Sequence, residues 1–504
     1  MGTGNVLAVK HIFRRLAGSP HVVVLAGLIV LGAVLRFSTL DLQSYRYDEA
    51  VTVSRILQAS LFDTLSTIPD SESTPPLYYF VAWFWALPFG TGEVWLRSLS
   101  ALAGTGTILV AYLGAVALPL PRRAGLLVAA IVAVSPVLIW FSQDARVYAL
   151  LVLLAALSFL FFARARRSGA RRDLAWWAVF STLAITAHYF AAFVIVAEGA
   201  LLLNGRNRRA VAVAVLMIAA AGALLAPIAL HQAENAHASW IADQPVGERL
   251  ERVGAKLVGS DNGNEHGIRQ PGLIPLFIPA ALALAALALL LWRSDPDERR
   301  GARIAALVGG GGLALPFILG LLGSDYFNGR NVLPAFVPLL ILLGAGFGVR
   351  RAGRLGLVLG ASFCLCSLVY TLEINRLPRL QREDLRNAAA EVGSFGPDVA
   401  VVTARYANNQ PLRYYLDSRF AKNSLPPLRE IVLIGSRHAA DRNAGRILPP
   451  AFRRVESKLV SYNNTLTRFR SPRSVRVPLS RLERGALVGA RKRSSVLIAP
   501  SSSP

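Results

Sequence analysis

Two adjacent carboxylates follow the first long apolar block, in the segment Tyr45–Ala50. A carboxylate beside a membrane helix can serve as a general base that takes the proton from an attacking hydroxyl. Neighbouring residues on a helix diverge by about 100°, so only one of Asp48 and Glu49 can point into a given site. Both also suit the cap and first turn of a helix, where acidic side chains are favoured. The segment alone leaves both interpretations open.

A second polar segment, Ser142–Tyr148, separates two apolar blocks and contains Asp144 and Arg146. Such a network can hold an anionic ligand, although a salt-bridged turn gives the same pattern. Arg330 stands at the head of a later apolar block, where it suits either a phosphate ligand or a helix anchor at the membrane surface. Guanidinium groups match phosphate oxygens bidentately, so Arg146 and Arg330 are candidate phosphate ligands.

An aromatic segment begins with the sequence Thr74-Pro75-Pro76-Leu77-Tyr78-Tyr79. The two prolines stop any upstream helix and give the next one a rigid start, which is also the pattern of an ordinary capped helix. The apolar block 77–89 is too short to span a bilayer comfortably and is rich in Tyr and Trp. It therefore predicts a helix that lies in the interface at the outer face of the membrane.

The elements that must position these residues are membrane helices. The chain has 504 residues, 54% of them hydrophobic, and a mean hydropathy of +0.45. Its apolar residues form eleven blocks between residues 21 and 372, most of them about 17 to 22 residues long, which is enough to cross a hydrocarbon core. No small-residue cleavage site follows the first block, which predicts a retained span and not a signal peptide.

The net charge of +24 would suggest a nucleic-acid partner in a soluble protein. Here most of the charge lies in short loops between the apolar blocks, so it indicates how the chain is oriented in the membrane. One set of loops between the apolar blocks carries 20 Lys and Arg, and the opposite set carries 8. The positive-inside rule places the first set, with the N-terminus, in the cytoplasm. Asp48, Arg146 and Arg330 then all face outward. Cys364 and Cys366 lie inside an apolar block and predict no metal or redox pair.

The chain changes character after the last apolar block. Residues 373–485 contain turn signals and short strand-like runs, which predict a small extracytoplasmic α/β domain beside a catalytic membrane domain over 1–372. Residues 486–504 are basic and then rich in Ser and Pro, which predicts disorder. From residue 373 onward there are 24 Lys and Arg against 10 Asp and Glu. That charge predicts contact with anionic headgroups or an anionic polymer.

The polar and aromatic segments described above, taken in chain order, resemble the glycosyltransferase family 39 group of GT-C membrane glycosyltransferases. This group includes protein O-mannosyltransferases and the lipid A aminoarabinose transferase. The matching segments are Tyr45–Ala50, Pro75–Tyr79, Ser142–Leu150, His188–Phe190, and Arg330 with Pro334. Two positions depart from the family pattern: Thr74 stands where the family often has His, and Asp144 where it has Glu.

Together with the eleven apolar blocks, the resemblance implies an all-α polytopic membrane protein of the GT-C type, with about 11 transmembrane helices and interfacial helices. The small α/β domain is expected from the pattern of residues 373–485 themselves, since their likeness to the family is loose. It implies transfer of a hexose or pentose from a polyprenyl-phosphate donor to a hydroxyl of a glycan, lipid or protein. The transfer would invert the configuration at the anomeric carbon of the sugar. It would take place at the outer face of the plasma membrane. Asp48 would be the catalytic base, with Glu49 in support. The candidates for binding donor phosphate and substrate are Arg146, Arg330, Asp144, Tyr148, Tyr78, Tyr79 and His188.

A transporter of lipid-linked substrates would also need intramembrane charge and an anion pocket. Transporters usually show inverted repeats with paired broken helices, and the two halves of this sequence show no repeat. The outward loops contain neither a DxD pair nor a His cluster. We therefore expect no obligatory metal ion and no other cofactor.

Overall fold

The computed structural model describes residues 19–205, 207–234, 241–261, 274–393, 395–405, 408–436, 438–490 and 493–500. The helices of eight residues or more are α1 Pro20–Phe37, α3 Leu61–Ser71, α4 Leu77–Phe89, α5 Glu93–Ala117, α6 Arg122–Val134, α8 Tyr148–Ser168, α9 Arg171–Ala187, α10 Ala191–Leu203, α11 Arg208–Glu234, α12 Val246–Leu257, α13 Ile274–Arg293, α14 Pro296–Leu321, α15 Phe336–Phe347, α16 Gly353–Arg376, α17 Leu385–Val392 and α19 Ala439–Ile447. Shorter helices are α2 Tyr47–Val51, α7 Pro136–Ser142, α18 Asn409–Tyr415 and α20 Leu479–Leu482.

The chain divides into two compact units. The first comprises residues 1–40 and 59–373, and the second comprises residues 41–58 and 374–504. This division differs from the predicted boundary at residue 372 in one respect: the loop that carries Asp48 and Glu49 groups with the C-terminal residues.

The first unit is helical, and all eleven predicted apolar blocks fall on its helices: α1, α5, α6 with α7, α8, α9, α10, α11, α13, α14, α15 and α16. Among the described residues, six helices are long and apolar enough to cross a membrane, or up to seven if the bent pair α6–α7 is one span. Shorter apolar helices, α4 and α10 among them, accompany these six. The number of crossings and their orientation stay predictions.

The bend between α6 and α7 is 56° and has a chemical cause. Pro136 has no N–H, so the carbonyl of Val132 loses its helical partner. The buried Arg36 of α1 replaces that partner, donating from Nη2 to Val132 O at 2.9 Å and from Nη1 to Ala133 O at 2.9 Å. Its Nε donates to Ser142 Oγ at 3.2 Å, at the end of α7. Arg36 therefore ties α1 to both halves of the broken helix.

The second unit contains a six-stranded sheet in the order β2-β6-β1-β3-β5-β4. The strands are β1 Val399–Ala404, β2 Arg419–Phe420, β3 Leu428–Ser436, β4 Arg453–Leu459, β5 Asn464–Val475 and β6 Ser494–Ile498. β1 and β3 pair in parallel, and the other pairs are antiparallel. Apolar clusters cover the sheet, one of them built from α17 and α18 and the other including residues of α19. This is the small α/β domain that the sequence predicted.

The disordered tail predicted for residues 486–504 is wrong for residues 494–498. They form β6, which lies between β1 and β2 and buries Val496 and Leu497. Between the basic and the Ser/Pro-rich flanks lies a short apolar run, Val496–Ile498, that completes the sheet. Residues 491–492 and 501–504 lie outside the described residues.

The first loop is held in the second unit by hydrogen bonds between backbone groups and side-chain hydroxyls. The N–H of Tyr45 donates to the Tyr415 hydroxyl at 2.7 Å. Ser44 Oγ donates to Glu383 O at 2.7 Å and accepts from the Leu385 N–H at 3.0 Å. The loop is therefore part of this unit's own hydrogen-bonded structure.

Candidate functional site

Arg146, in the turn between α7 and α8, forms a buried bidentate ion pair with Glu72. Its Nη1 lies 2.7 Å from Glu72 Oε1 and its Nη2 lies 2.6 Å from Oε2. The two side chains are only 7% and 6% exposed. The charge of Arg146 is therefore compensated within the protein. The sequence analysis missed Glu72, whose only signal is an acidic residue just ahead of the proline pair.

The start of the aromatic helix α4 contacts this ion pair. The Arg146 guanidinium carbon lies 5.9 Å from the centroid of the Tyr79 ring, and the Tyr79 hydroxyl lies 3.3 Å from Thr74 Oγ1. The Tyr78 ring packs edge-on against Tyr79 at 5.5 Å, and both tyrosines are fully buried. Two predicted tyrosines and one predicted arginine thus share one location.

Gln232, near the end of α11, fixes the segment that leads into α4. Its Nε2 donates to the carbonyls of Ile68 and Thr74, at 3.3 and 3.1 Å, and its Oε1 accepts from the Tyr189 hydroxyl at 3.0 Å. A buried amide that satisfies several polar partners at once holds a loop in a defined position. A glutamine near a helix end carries no distinctive sequence pattern, so this role could not be predicted.

His188 lies between α9 and α10, and both predicted phosphate ligands act on it. Burial, followed by the positive charges of Arg330 and Arg146, lowers the pKa of His188 to about 3. Its ring lies 6.2 Å from that of Tyr148. The imidazole is neutral near pH 7, and its Nδ1 accepts from the Phe190 N–H at 3.4 Å, so Nε2 carries the proton. His188 is therefore available as a neutral hydrogen-bond donor.

Two predicted residues of the first unit remain, Asp144 and Arg330. They belong with Arg146, Tyr78, Tyr79, Tyr148 and His188, which we call the first-unit cluster. The backbone carbonyl of Asp144, which is fully buried, accepts from the Arg146 N–H at 2.7 Å. The backbone N–H of Arg330 donates to Asn328 Oδ1 at 3.1 Å, within the short turn that precedes α15. Asp144 and Arg146 are thus parts of one tight turn, and Arg330 shares a location with His188.

Asp48 and Glu49, in the second unit, have different environments. Glu49 is fully buried and accepts from Arg382 Nη1 at 2.7 Å and from the Arg46 N–H at 3.1 Å. The Asp48 side chain is 32% exposed and lies 3.6 Å from Arg46 Nη2. Their adjacent places on α2 direct Glu49 inward and leave Asp48 the more accessible carboxylate. Arg382, beyond the last apolar block, was not predicted as a partner.

A second ion pair fixes the segment that leads to Arg330. Arg249 of α12 is buried and contacts both carboxylate oxygens of Asp325, at 2.6 and 2.7 Å, and it also donates to Phe327 O at 2.9 Å. The hydrogen bonds from Arg249 hold the pKa of Asp325 below its ordinary value. Arg249 is one of the eight basic residues of the outward loops, and its pairing with Asp325 was not predicted.

The first-unit cluster has groups of the kind that an anion site needs. It combines the guanidinium of Arg330, a neutral imidazole and tyrosine rings with the Arg146–Glu72 ion pair in a largely buried setting, where charge-assisted hydrogen bonds are strong. Among the residues that the structure describes, no group of three or more His, Cys, Asp or Glu could hold a metal ion. The expected independence from metal stays a prediction.

Known proteins resemble both the sequence around this cluster and the fold. Residues 73–231 match the family described as dolichyl-phosphate-mannose-protein mannosyltransferase. The crystal structure of apo ArnT from Cupriavidus metallidurans covers 88% of this chain and 97% of its own, with 13% identity and a TM-score of 0.55. ArnT bound to undecaprenyl phosphate gives the same coverage, 12% identity and a TM-score of 0.53. A comparison with curated protein sequences gives no match.

These findings agree on one class of protein. The chain has the GT-C fold, and the family match extends over the segment that contains Tyr78, Tyr79, Arg146, Tyr148 and His188. The predicted resemblance to GT-C membrane glycosyltransferases is thus confirmed by the fold and by the family match over residues 73–231.

We predict that the Arg146–Glu72 pair is strongly coupled. Glu72→Gln leaves a buried guanidinium without its counter-charge, which costs about 3 kcal/mol of stability or more. The double variant Glu72→Gln/Arg146→Gln should recover most of this loss, because no uncompensated charge remains. Thermal unfolding in detergent measures the cycle, with the exposed pair Asp297 and Arg300 neutralised as the control. A double variant no more stable than Glu72→Gln would contradict the prediction.

We also predict an acid-sensitive contribution from Asp325. Its pKa is lowered in the folded protein, so the ion pair with Arg249 stabilises the fold above the carboxyl's ordinary pKa. That contribution is lost as the pH falls below about 4 and through the folded value. The melting temperature of the native protein should therefore fall more steeply between pH 6 and pH 3 than that of Asp325→Asn. Parallel profiles for the two proteins would show that the pair contributes nothing.

Proposed function

We propose that the chain transfers a sugar from a polyprenyl-phosphate donor to an acceptor hydroxyl on the outer face of the plasma membrane. The observation that carries this proposal is the cluster of Arg146, Arg330, His188 and buried tyrosines in a GT-C fold. Structural similarity to ArnT, which has been solved with undecaprenyl phosphate, supports a polyprenyl phosphate as the donor carrier. The unequal basic loops, 20 residues against 8, support the outward orientation.

In this proposal the donor phosphate contacts Arg330 and the proton of His188 Nε2. The Arg146–Glu72 pair has no net charge, so we propose that Arg146 mainly positions Tyr79 and orients the cluster. Tyr148 and Tyr78 line the donor site, and Asp144 holds the turn that carries Arg146. Binding by bidentate guanidinium contacts stabilises the negative charge that grows on the phosphate as the sugar leaves.

The chemical step that we propose is a single inverting displacement. Asp48 removes the proton of the acceptor hydroxyl, whose oxygen attacks C1 of the sugar on the face opposite the phosphate. A new C1–O bond forms while the C1–O bond to phosphate breaks, and its electron pair stays on the phosphate oxygen. The products are the glycosylated acceptor, polyprenyl phosphate and a proton on Asp48. Glu49, which is buried against Arg382, holds the helix that carries Asp48.

Asp48→Asn should lower the turnover number by about 100-fold or more, because a positioned general base contributes roughly 10²–10⁴-fold. Transfer from a labelled polyprenyl-phosphate sugar measures the effect, and an unchanged melting temperature shows that the fold is intact. Asp63→Asn is the control, because Asp63 is an exposed carboxylate that bonds only its own helix cap. Normal turnover in a folded Asp48→Asn protein would sink the assignment.

Arg330→Gln should raise the donor KM by about 10-fold or more, since hydrogen bonds to a charged partner contribute about 1.5–3 kcal/mol. Arg330→Lys should recover only part of the affinity, because an ammonium group keeps the charge without the planar bidentate geometry. Arg300→Gln, which removes a 72% exposed side chain's charge, serves as the control. A donor KM that does not respond to either change at Arg330 would remove it from the donor site.

A further inference from the structure

The second unit contains a polar cleft that the proposed donor chemistry does not use. It has a volume of about 530 Å³ and is lined by Ser54, Arg413, Tyr414, Tyr415, Asp417 and Ser418. That volume is in the range typical of small-molecule sites. All six residues belong to the second unit. Ser54 comes from the first loop, and the others come from the end of α18 and the turn that follows it.

Several polar groups of the cleft have unused bonding capacity. Ser418 is only 9% exposed, and its hydroxyl has no hydrogen-bond partner among the described residues. The Arg413 guanidinium stacks on the Phe420 ring at 5.5 Å, and no carboxylate of the described chain pairs with it. A buried hydroxyl without a partner is unfavourable, so a ligand that satisfies it is favoured. Asp417 has a φ of +44°, a strained conformation for a residue other than glycine.

These groups favour a neutral ligand with many hydroxyls. Arg413 offers only donors, Asp417 only acceptors, and Ser418 both, which is the mixture that neighbouring sugar hydroxyls require. The opposite charges of Arg413 and Asp417 compensate each other, so the lining does not select an anion. Tyr414 and Tyr415 meet at 5.1 Å with rings nearly perpendicular, and they supply the flat apolar surface on which a sugar ring packs.

We propose that this cleft binds the acceptor and that the acceptor is a carbohydrate. The inference rests on the proposed transfer reaction, because it makes the cleft the site that presents a sugar hydroxyl to Asp48. Asp48 and Ser54 lie on one continuous helical segment, formed by α2 and the π-helical turn Thr52–Ile56. A separation of six residues corresponds to about 9 Å along a helix axis. One end of the cleft is therefore close to the proposed base within the same unit.

Carbohydrate binding by the detergent-solubilised full-length protein tests the inference. The probe is an array of neutral hexose and pentose oligosaccharides, uronate-containing oligosaccharides and Ser/Thr-rich peptides. We expect binding to neutral oligosaccharides, and about 10-fold weaker binding by Arg413→Ala and by Asp417→Asn, which is about 1.4 kcal/mol. Arg429→Ala, which removes an exposed arginine of β3 outside the cleft, should bind as the native protein does.

Ser418→Ala separates a loss of carbohydrate binding from a loss of folding. It removes an unsatisfied buried hydroxyl, so the melting temperature should stay the same or rise while carbohydrate binding falls. Normal binding by all three folded variants would overturn the inference, as would binding to peptides or uronates alone, or to no probe at all. Donor cleavage without carbohydrate binding would contradict the carbohydrate-binding role of the cleft and leave the proposed function standing. Carbohydrate binding without any transfer from a polyprenyl-phosphate sugar would contradict the proposed function and leave the cleft as a carbohydrate-binding site.

Discussion

The first unit depends on one buried cation, Arg36, at the break between α6 and α7. A proline at the start of α7 removes a backbone donor, and an unsatisfied carbonyl at membrane depth costs several kcal/mol. Arg36 supplies donors to two successive carbonyls, those of Val132 and Ala133. The break can therefore exist without a lipid-exposed polar group. The turn that carries Arg146 directly follows the short helix that this arrangement positions.

A glycine makes room for that cation. A methyl group added at Gly104 would overlap the Ser142 side chain and would lie 3.1 Å from Arg36 Nε, so the missing side chain leaves the space that both groups occupy. The guanidinium is enclosed by α1, α5 and the broken helix, and none of its hydrogen-bond partners is a carboxylate. Its positive charge is stabilised by carbonyl dipoles, which fix its direction as well as its depth.

The sequence predicted the features that have a period or a characteristic length. Apolar blocks located the membrane helices, the two prolines located the start of α4, and short apolar runs located β1 and β3. It did not predict which charges pair. Glu72, Arg249 and Arg382 find their partners through contacts between residues 74, 76 and 333 positions apart, and a single sequence does not encode such distances locally. β6 was not predicted because its three-residue apolar run is flanked by residues typical of disorder.

The different environments of Asp48 and Glu49 also could not be predicted from the sequence alone. Their spacing showed that only one could face a site, and only the buried Arg382 shows which one faces inward. Likewise, the sequence marked His188 by resemblance alone. Its neutral state follows from burial and from two arginines that are distant in the chain.

The assignment of residues 41–58 to the C-terminal unit has a consequence for biosynthesis. This segment leaves the ribosome more than 300 residues before residues 382–385 and Tyr415, to which it is hydrogen-bonded in the finished protein. At about 5–20 residues per second, the interval is on the order of 15–60 s. During that interval Glu49 lacks Arg382 and the backbone N–H of Tyr45 lacks Tyr415, while the membrane helices are being inserted. The proposed base is thus synthesised well before the residues that complete the environment of its helix.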